Sequence, residues 1–205
     1  VTTGGDAGNA GTCTLRQAVD AMNTASLAGT SCANSGGAFG TGDTVDLTGL
    51  AGTITLAGAT EIEIAVTLAI QGPGSTGLTV SGANASRVFQ STASLPAILR
   101  ISDLTIANGR AGGPGGCINV QSELRLTNSV VTGCTAVHDA IAYPSYLSGV
   151  GGGVAAAPVS PPSSIDKKRV PATSEGAWNS TYDRERPCSR FTIAVSSRFF
   201  TTLPS

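Results

Sequence analysis

The sequence predicts an all-β fold: a right-handed parallel β-helix, or solenoid, with an N-terminal capping α-helix and an irregular C-terminal tail. Three observations point there. From Asp43 onward, short runs alternate at period two and are separated by Gly, Pro, Asn and Ser. One such run recurs about 25 residues later, within the range of solenoid repeats. An amphipathic helical segment stands just before the first run, where the open end of a stacked coil needs a cover.

Composition bounds the reading. The 205 residues suffice for one domain with a core, or for a domain plus an extension. With 27 glycines, 4% aromatic and 12% charged residues, the chain departs from an ordinary soluble domain, of which about a quarter is charged. Val, Ile and Leu nevertheless fall in ordered runs, which argues for repetition rather than disorder. A net charge of −1 offers no basic patch for nucleic acid. No apolar stretch reaches the roughly 18 to 20 residues that span a bilayer. The opening VTTGGDAG lacks the basic and apolar regions of a signal peptide, so an exported form is expected to have lost its leader.

The first element is TLRQAVDAMNTA, Thr14 to Ala25. Leu15, Ala18, Val19 and Met22 make one apolar stripe at helical spacing, with Arg16, Gln17, Asp20 and Asn23 expected to face away. Thr14 followed by Gln17 fits a capping box. Cys13 and Cys32 bracket the helix and its loop, so a disulfide would pin the helix to what it covers; two unpaired thiols are the alternative. The strand-like runs are DTVDLTG, GTITLAG, IEIAVTLAIQG, GLTVSG, RVFQ, LRISDLTIANG, GGCINV and ELRLTNSVVTG. Alternation alone does not separate a sandwich from a β-helix; internal similarity does. Laying Leu99–Gly109 on Leu124–Cys134 aligns Leu99 with Leu124, Ile101 with Leu126, Leu104 with Ser129 and Ile106 with Val131. A glycine-led strand follows each time, GGCINV and then GGGVAA, the second delayed by the insertion VHDAIAYPSYLSGV. A coil of short parallel strands needs small residues at its corners, and a flat sandwich has no reason to repeat this way.

CTLRQAVDAMN resembles the CSLREA-type motif that begins many secreted bacterial β-helix proteins related to polymorphic outer-membrane protein repeats. In that family a GDTV-like segment, an IxGPG turn, an RVF strand, and LTIxNG and GGxI rungs follow in order. Here they correspond to Gly42–Val45, Ile70–Gly74, Arg87–Phe89, Leu104–Gly109 and Gly115–Ile118. The resemblance covers residues 1 to 155. It implies the fold and a secreted, extracellular or bacterial cell-surface location, and no single chemistry.

The domain reading is a cap with helix at 1–42, β-helix rungs at 43–157, and a Pro-rich linker with an atypical tail at 158–205. The tail holds seven of the twelve basic residues and four of the thirteen acids, giving it +3 against −4 before it. A small domain, a surface-attachment segment, a disordered end and a truncated or frameshifted end all fit it. FTIAVSSRFF, Phe191 to Phe200, is strand-like and is expected to cover the open end of the coil.

Candidate chemistry is sparse. Between Leu47 and Val137 the acids are Glu61, Glu63, Asp103 and Glu123. Glu61 and Glu63 share a strand face and form a candidate catalytic pair, although a solvated stripe is the plainer reading. Asp103 and Arg125 are expected to meet as a surface ion pair on neighbouring rungs. His138 and Asp139 are further catalytic candidates, and Tyr143 and Tyr146 candidate ligand contacts, all in the inserted loop, where rigid scaffolds build sites. Gly72, Gly74 and Gly77 spell a dinucleotide fingerprint, but a strand rather than a helix follows, so they read as corners. Asn108, Asn119 and Asn128 suit turns or polar ladders. No CxxC pair or second histidine supports a metal site, and no cofactor is expected. A disulfide between Cys117 and Cys134 is possible but not favoured, since the alignment sets them at different places on successive rungs; with Cys13 and Cys32 paired, an odd thiol remains among Cys117, Cys134 and Cys188, and a buried free cysteine in the coil fits the pattern.

The expected function is an extracellular or cell-surface scaffold or adhesion-like module without catalysis, monomeric, meeting a surface polysaccharide or a host or cell-surface protein. The alternative is a carbohydrate-active β-helix: a polysaccharide lyase, a glycoside hydrolase or a carbohydrate-binding coil.

Overall fold

The computed structural model describes residues 1–137 except 9 and 41, together with 153–156 and 191–192. Alternation decides where each strand lies. In the first rung β1 (Thr44–Asp46) turns Val45 inward, β2 (Gly52–Thr55) buries Ile54, and β3 (Ile62–Ile64) buries both isoleucines around an exposed Glu63. The second rung holds β4 (Leu68–Gln71), β5 (Leu78–Ser81) and β6 (Phe89–Ser91). The third holds β7 (Ile98–Ser102), β8 (Thr105–Ala107), the short β9 (Arg110–Ala111) and β10 (Ile118–Val120). The fourth holds β11 (Glu123–Thr127), β12 (Val130–Thr132), β13 (Thr135–Ala136) and β14 (Val154–Ala156).

Each strand stacks on its equivalent in the next rung. The result is three parallel sheets, β1-β4-β7-β11, β2-β5-β8-β12 and β3-β6-β10-β14, with the small pair β9-β13 at a corner. This is the parallel β-solenoid that the repeats predict. The inward side chains form columns: Val45, Ile70, Ile101 and Leu126; Ile54, Val80, Ile106 and Val131; Ile62, Phe89, Ile118 and Val154. Leu99 pairs with Leu124 and Ile101 with Leu126, as the internal similarity aligns them. The first three members of each column are buried, whereas Leu126, Val131 and Val154 are only partly so. Among the described residues the fourth rung is therefore the less buried end of the coil. β15 (Phe191–Thr192) runs antiparallel on β12, so the run expected to cover that end meets it at these two residues. The remainder of the tail and the inserted loop after Val137 lie outside the described residues.

The corners follow from backbone sterics. Asp103, Asn108 and Asn128 have positive φ of 59°, 52° and 48°, a conformation Asn and Asp tolerate better than other side chains. Asp103 and Asn128 occupy the same corner on neighbouring rungs, where Asn128 Nδ2 donates to Asp103 Oδ1 at 3.3 Å, a two-step polar ladder. At the equivalent corner one rung earlier stands Gly72, where a Cβ would run into the Asp103 carbonyl oxygen. The glycines of the apparent dinucleotide motif are thus corner residues.

The N-terminal segment closes the other end. The helix α1 (Leu15–Thr24) starts at Thr14, whose side chain accepts the Gln17 amide while the Gln17 side chain accepts the Thr14 amide, the capping box expected. Leu15, Ala18 and Val19 are buried against the first rung, and Met22 packs partly. Arg16 and Asn23, however, do not face away. Arg16 donates to Glu61 O at 2.8 Å and Thr60 O at 3.0 Å, and Asn23 donates to Glu63 O at 2.8 Å while accepting from Ala65 N at 2.8 Å. Their reason is the unpaired edge of β3, whose backbone groups need partners that no earlier rung supplies. Elsewhere the Val1 ammonium donates to Asp46 O at 3.1 Å, Gly5 bridges Thr55, and Asp6 accepts the Ala57 amide at 2.8 Å. All three strands of the first rung are met in this way.

Two disulfides tie the coil. Cys13–Cys32 joins the start of the helix to the loop after it, as expected. Cys117–Cys134 is also bonded, the pairing that the alignment did not favour. The alignment compares positions along the rung and misses how the coil folds back on itself. Within the third rung Gly109 comes against Cys117, near enough that a Cβ on Gly109 would lie 2.7 Å from its Cα and Sγ. Cys134 stands one rung beyond Gly109, whose carbonyl accepts the Thr135 amide at 2.8 Å, so the two sulfurs meet over the glycine.

Candidate functional site

Glu61 and Glu63 flank Ile62 on the outer side of the third sheet, but they turn to separate partners. Glu61 Oε2 lies 2.6 Å from Arg87 Nη1, and Glu63 Oε1 accepts from Thr92 Oγ1 at 3.1 Å. Arg87 is mostly buried and is held four ways: it also donates to Gln90 Oε1 at 2.7 Å, to Gly115 O at 2.8 Å and to Pro114 O at 3.0 Å. Gln90 Oε1 in turn accepts Asn119 Nδ2 at 3.1 Å from the next rung. Glu63, Gln90 and Asn119 are register neighbours, so the array is a polar ladder bolted by one guanidinium. Its groups satisfy each other and brace the stacked sheets.

The Asp103–Arg125 pair does not form. Arg125 Nε contacts Glu123 Oε1 at 2.6 Å, and Asp103 instead receives Asn128. Period two explains the exchange: Glu123 and Arg125 share one outer face of β11, while Asp103 has left the strand at its left-handed corner. His138, Asp139, Tyr143 and Tyr146 lie outside the described residues. Among the described residues no three His, Cys, Asp or Glu side chains gather to hold a metal ion, and no helix is long and apolar enough to cross a membrane.

A concave surface lies where sequence reasoning placed none. A cleft of about 580 Å³ opens at the seam between the third and first sheets, formed by the turns after β3 and β6 together with β7. Its lining is small and mixed, with Ala65, Thr67, Ser94, Pro96 and Ile98, and it contains one charge, Arg100. Arg100 is partly buried and makes no hydrogen bond or ion pair to any described residue. Its register neighbour on the next rung is Arg125.

No protein-family model, curated protein or solved structure matches the chain. Solenoid geometry by itself carries no chemistry, because one fold hosts many functions. The weight therefore falls on the two outer faces. The polar groups of the third sheet pair with one another, and among the described residues the seam cleft holds a cation without an anion. The sequence signal for the cleft was slender: an outward Arg100 between Ile98 and Ser102, with no acid two residues to either side to pair it.

Proposed function

We propose that the chain is an extracellular or cell-surface solenoid of scaffold or adhesion type, which presents its outer faces and inserted loop to a partner and does not catalyse a reaction. The observation that carries this reading is the Arg87 array. The carboxylates best placed to act as an acid–base pair, Glu61 and Glu63, are engaged by Arg87 and Thr92 in a brace between rungs. Two disulfides in a small-core repeat fold suit an oxidising compartment, and the resemblance to CSLREA-type secreted proteins agrees with that location.

The test is direct. The protein is incubated with a panel of uronate and neutral polysaccharides, and unsaturated products and new reducing ends are followed. Neither should appear. Product formation that is lost in Glu63→Ala or His138→Ala would overturn the scaffold reading in favour of a lyase or hydrolase. Carbohydrate binding without cleavage is the second reading, and the seam cleft favours it.

A further inference from the structure

Four of the arginines of the coil and cap have an evident situation. Arg16 is ion-paired with Asp6, Arg87 with Glu61 and Arg125 with Glu123, while Arg110 is exposed on the short β9. Arg100 differs from all of them. It is partly withdrawn from water, it lines a cleft, and among the described residues it has no ion-pair or hydrogen-bond partner. A guanidinium left with its planar fork open matches a carboxylate. The neighbouring acids are committed elsewhere. Asp43 accepts the amide of Gly40, a lining residue, at 2.7 Å, and Glu123, the register neighbour of Ile98, is bound to Arg125.

The geometry points to a carboxylate subsite at Arg100 that takes one uronate unit of an acidic sugar chain. Two features select a sugar chain over an acidic peptide. Arg100 and Arg125 are paired in register on β7 and β11, so the outer face repeats a guanidinium at the strand spacing of roughly 4.8 Å, about the length of one unit in an extended acidic glycan. The lining beside Arg100 supplies the hydroxyls of Thr67 and Ser94 for ring hydroxyls, next to flat apolar surface from Ala65, Pro96 and Ile98. The subsite goes beyond the scaffold reading by naming a ligand class, and it requires no bond to be made or broken.

The experiment is calorimetric titration of the full chain with oligogalacturonate at low salt, with maltohexaose and oligoglutamate of matched length as comparisons. Oligogalacturonate should bind saturably and maltohexaose should not. Arg100→Gln should weaken binding about tenfold or more, Arg100→Lys should recover only part of the loss, and Arg110→Gln should leave it unchanged. Circular dichroism of each variant confirms that the coil is intact. Absence of saturable oligogalacturonate binding, or equal binding in a folded Arg100→Gln variant, overturns the subsite. Binding of oligoglutamate as tight as oligogalacturonate overturns the sugar assignment and gives the cleft to acidic peptides. The outcome is separable from the scaffold test: cleavage products would overturn that reading while leaving the subsite standing, and loss of binding would do the reverse.

Discussion

Asn23 lies along the open edge of β3 as a strand would, its side-chain amide donating to Glu63 O and accepting from Ala65 N, both at 2.8 Å. Arg16, two helical turns earlier on the same side of α1, holds the two carbonyls that precede this stretch. The helix is thus a polar cap as much as an apolar lid. Asn23→Ala should lower stability by about 1 kcal/mol, because its partners are partly exposed and water replaces some of what is lost. Urea denaturation measures this. The same variant should show concentration-dependent association by light scattering, since a bared strand edge is a template for another chain. Unchanged stability together with unchanged monodispersity would show that the apolar face alone caps the coil.

The Cys117–Cys134 bond gives a second expectation. Under denaturing but non-reducing conditions, peptide mapping should find 117 linked to 134 and 13 linked to 32, with none of the four alkylated before reduction. Replacing Cys117 and Cys134 together by Ser should cost about 2 to 4 kcal/mol, mostly by freeing the unfolded chain. Gly109→Ala should disturb the same place from the other side, since its Cβ would press on Cys117 and the Gly116 carbonyl. A map in which these thiols are free and alkylated would contradict the described fold-back of the third rung.

What the sequence reveals and what it hides divide along one physical line. The pairing of Leu99 with Leu124 and Ile101 with Leu126 is legible because stacked parallel rungs repeat the same inward pattern in register, and a repeat is visible without coordinates. Thr14 and Gln17 are legible because a helix start is solved locally. Arg16 and Asn23 are misread because a helical wheel knows only the helix and not the edge it will cover. The meeting of Cys117 with Cys134, the turn of Asp103 to Asn128 and the seam cleft around Arg100 all arise between segments whose closeness depends on how tightly each corner folds. The Glu61–Glu63 spacing is correctly read as one face of a strand, yet the role of Glu61 is decided by Arg87, which enters from the following rung.

Asp46 supplies an electrostatic check. Its carboxylate accepts the Thr48 hydroxyl at 2.6 Å and the Thr48 amide at 2.8 Å. These two bonds, the side-chain bond first, favour the charged form and hold its pKa below the ordinary aspartate range, with a smaller aid from the N-terminal ammonium and a slight opposing effect of burial. Since the folded value is depressed, the stabilisation is present above the unfolded pKa of about 3.9 and is lost as pH falls through the folded value. The carboxylate is almost fully solvated, so its share of acid unfolding is small. Carboxyl chemical shifts followed by NMR should place the Asp46 midpoint below that of a free aspartate, and Thr48→Val should raise it. A midpoint unmoved by that substitution would refute the assignment to Thr48.

Glu123 tests whether recognition at the seam extends along the sheet. It occupies Arg125 at 2.6 Å, the guanidinium one rung from Arg100, and both side chains are well exposed, a setting in which an ion pair contributes only about 0.2 to 1 kcal/mol. A second uronate unit reaching Arg125 must therefore displace a weak competitor. Glu123→Gln removes the competitor and leaves the column Arg100–Arg125 intact. Oligogalacturonate should then bind about two- to fivefold more tightly, while a single galacturonate, which reaches only Arg100, should gain less. The gain of the oligomer should shrink with added salt, because these groups lie within reach of screening ions. If Glu123→Gln leaves the oligomer and the monomer equally affected, the sugar chain does not follow the arginine column, and Arg100 acts as an isolated subsite across the seam.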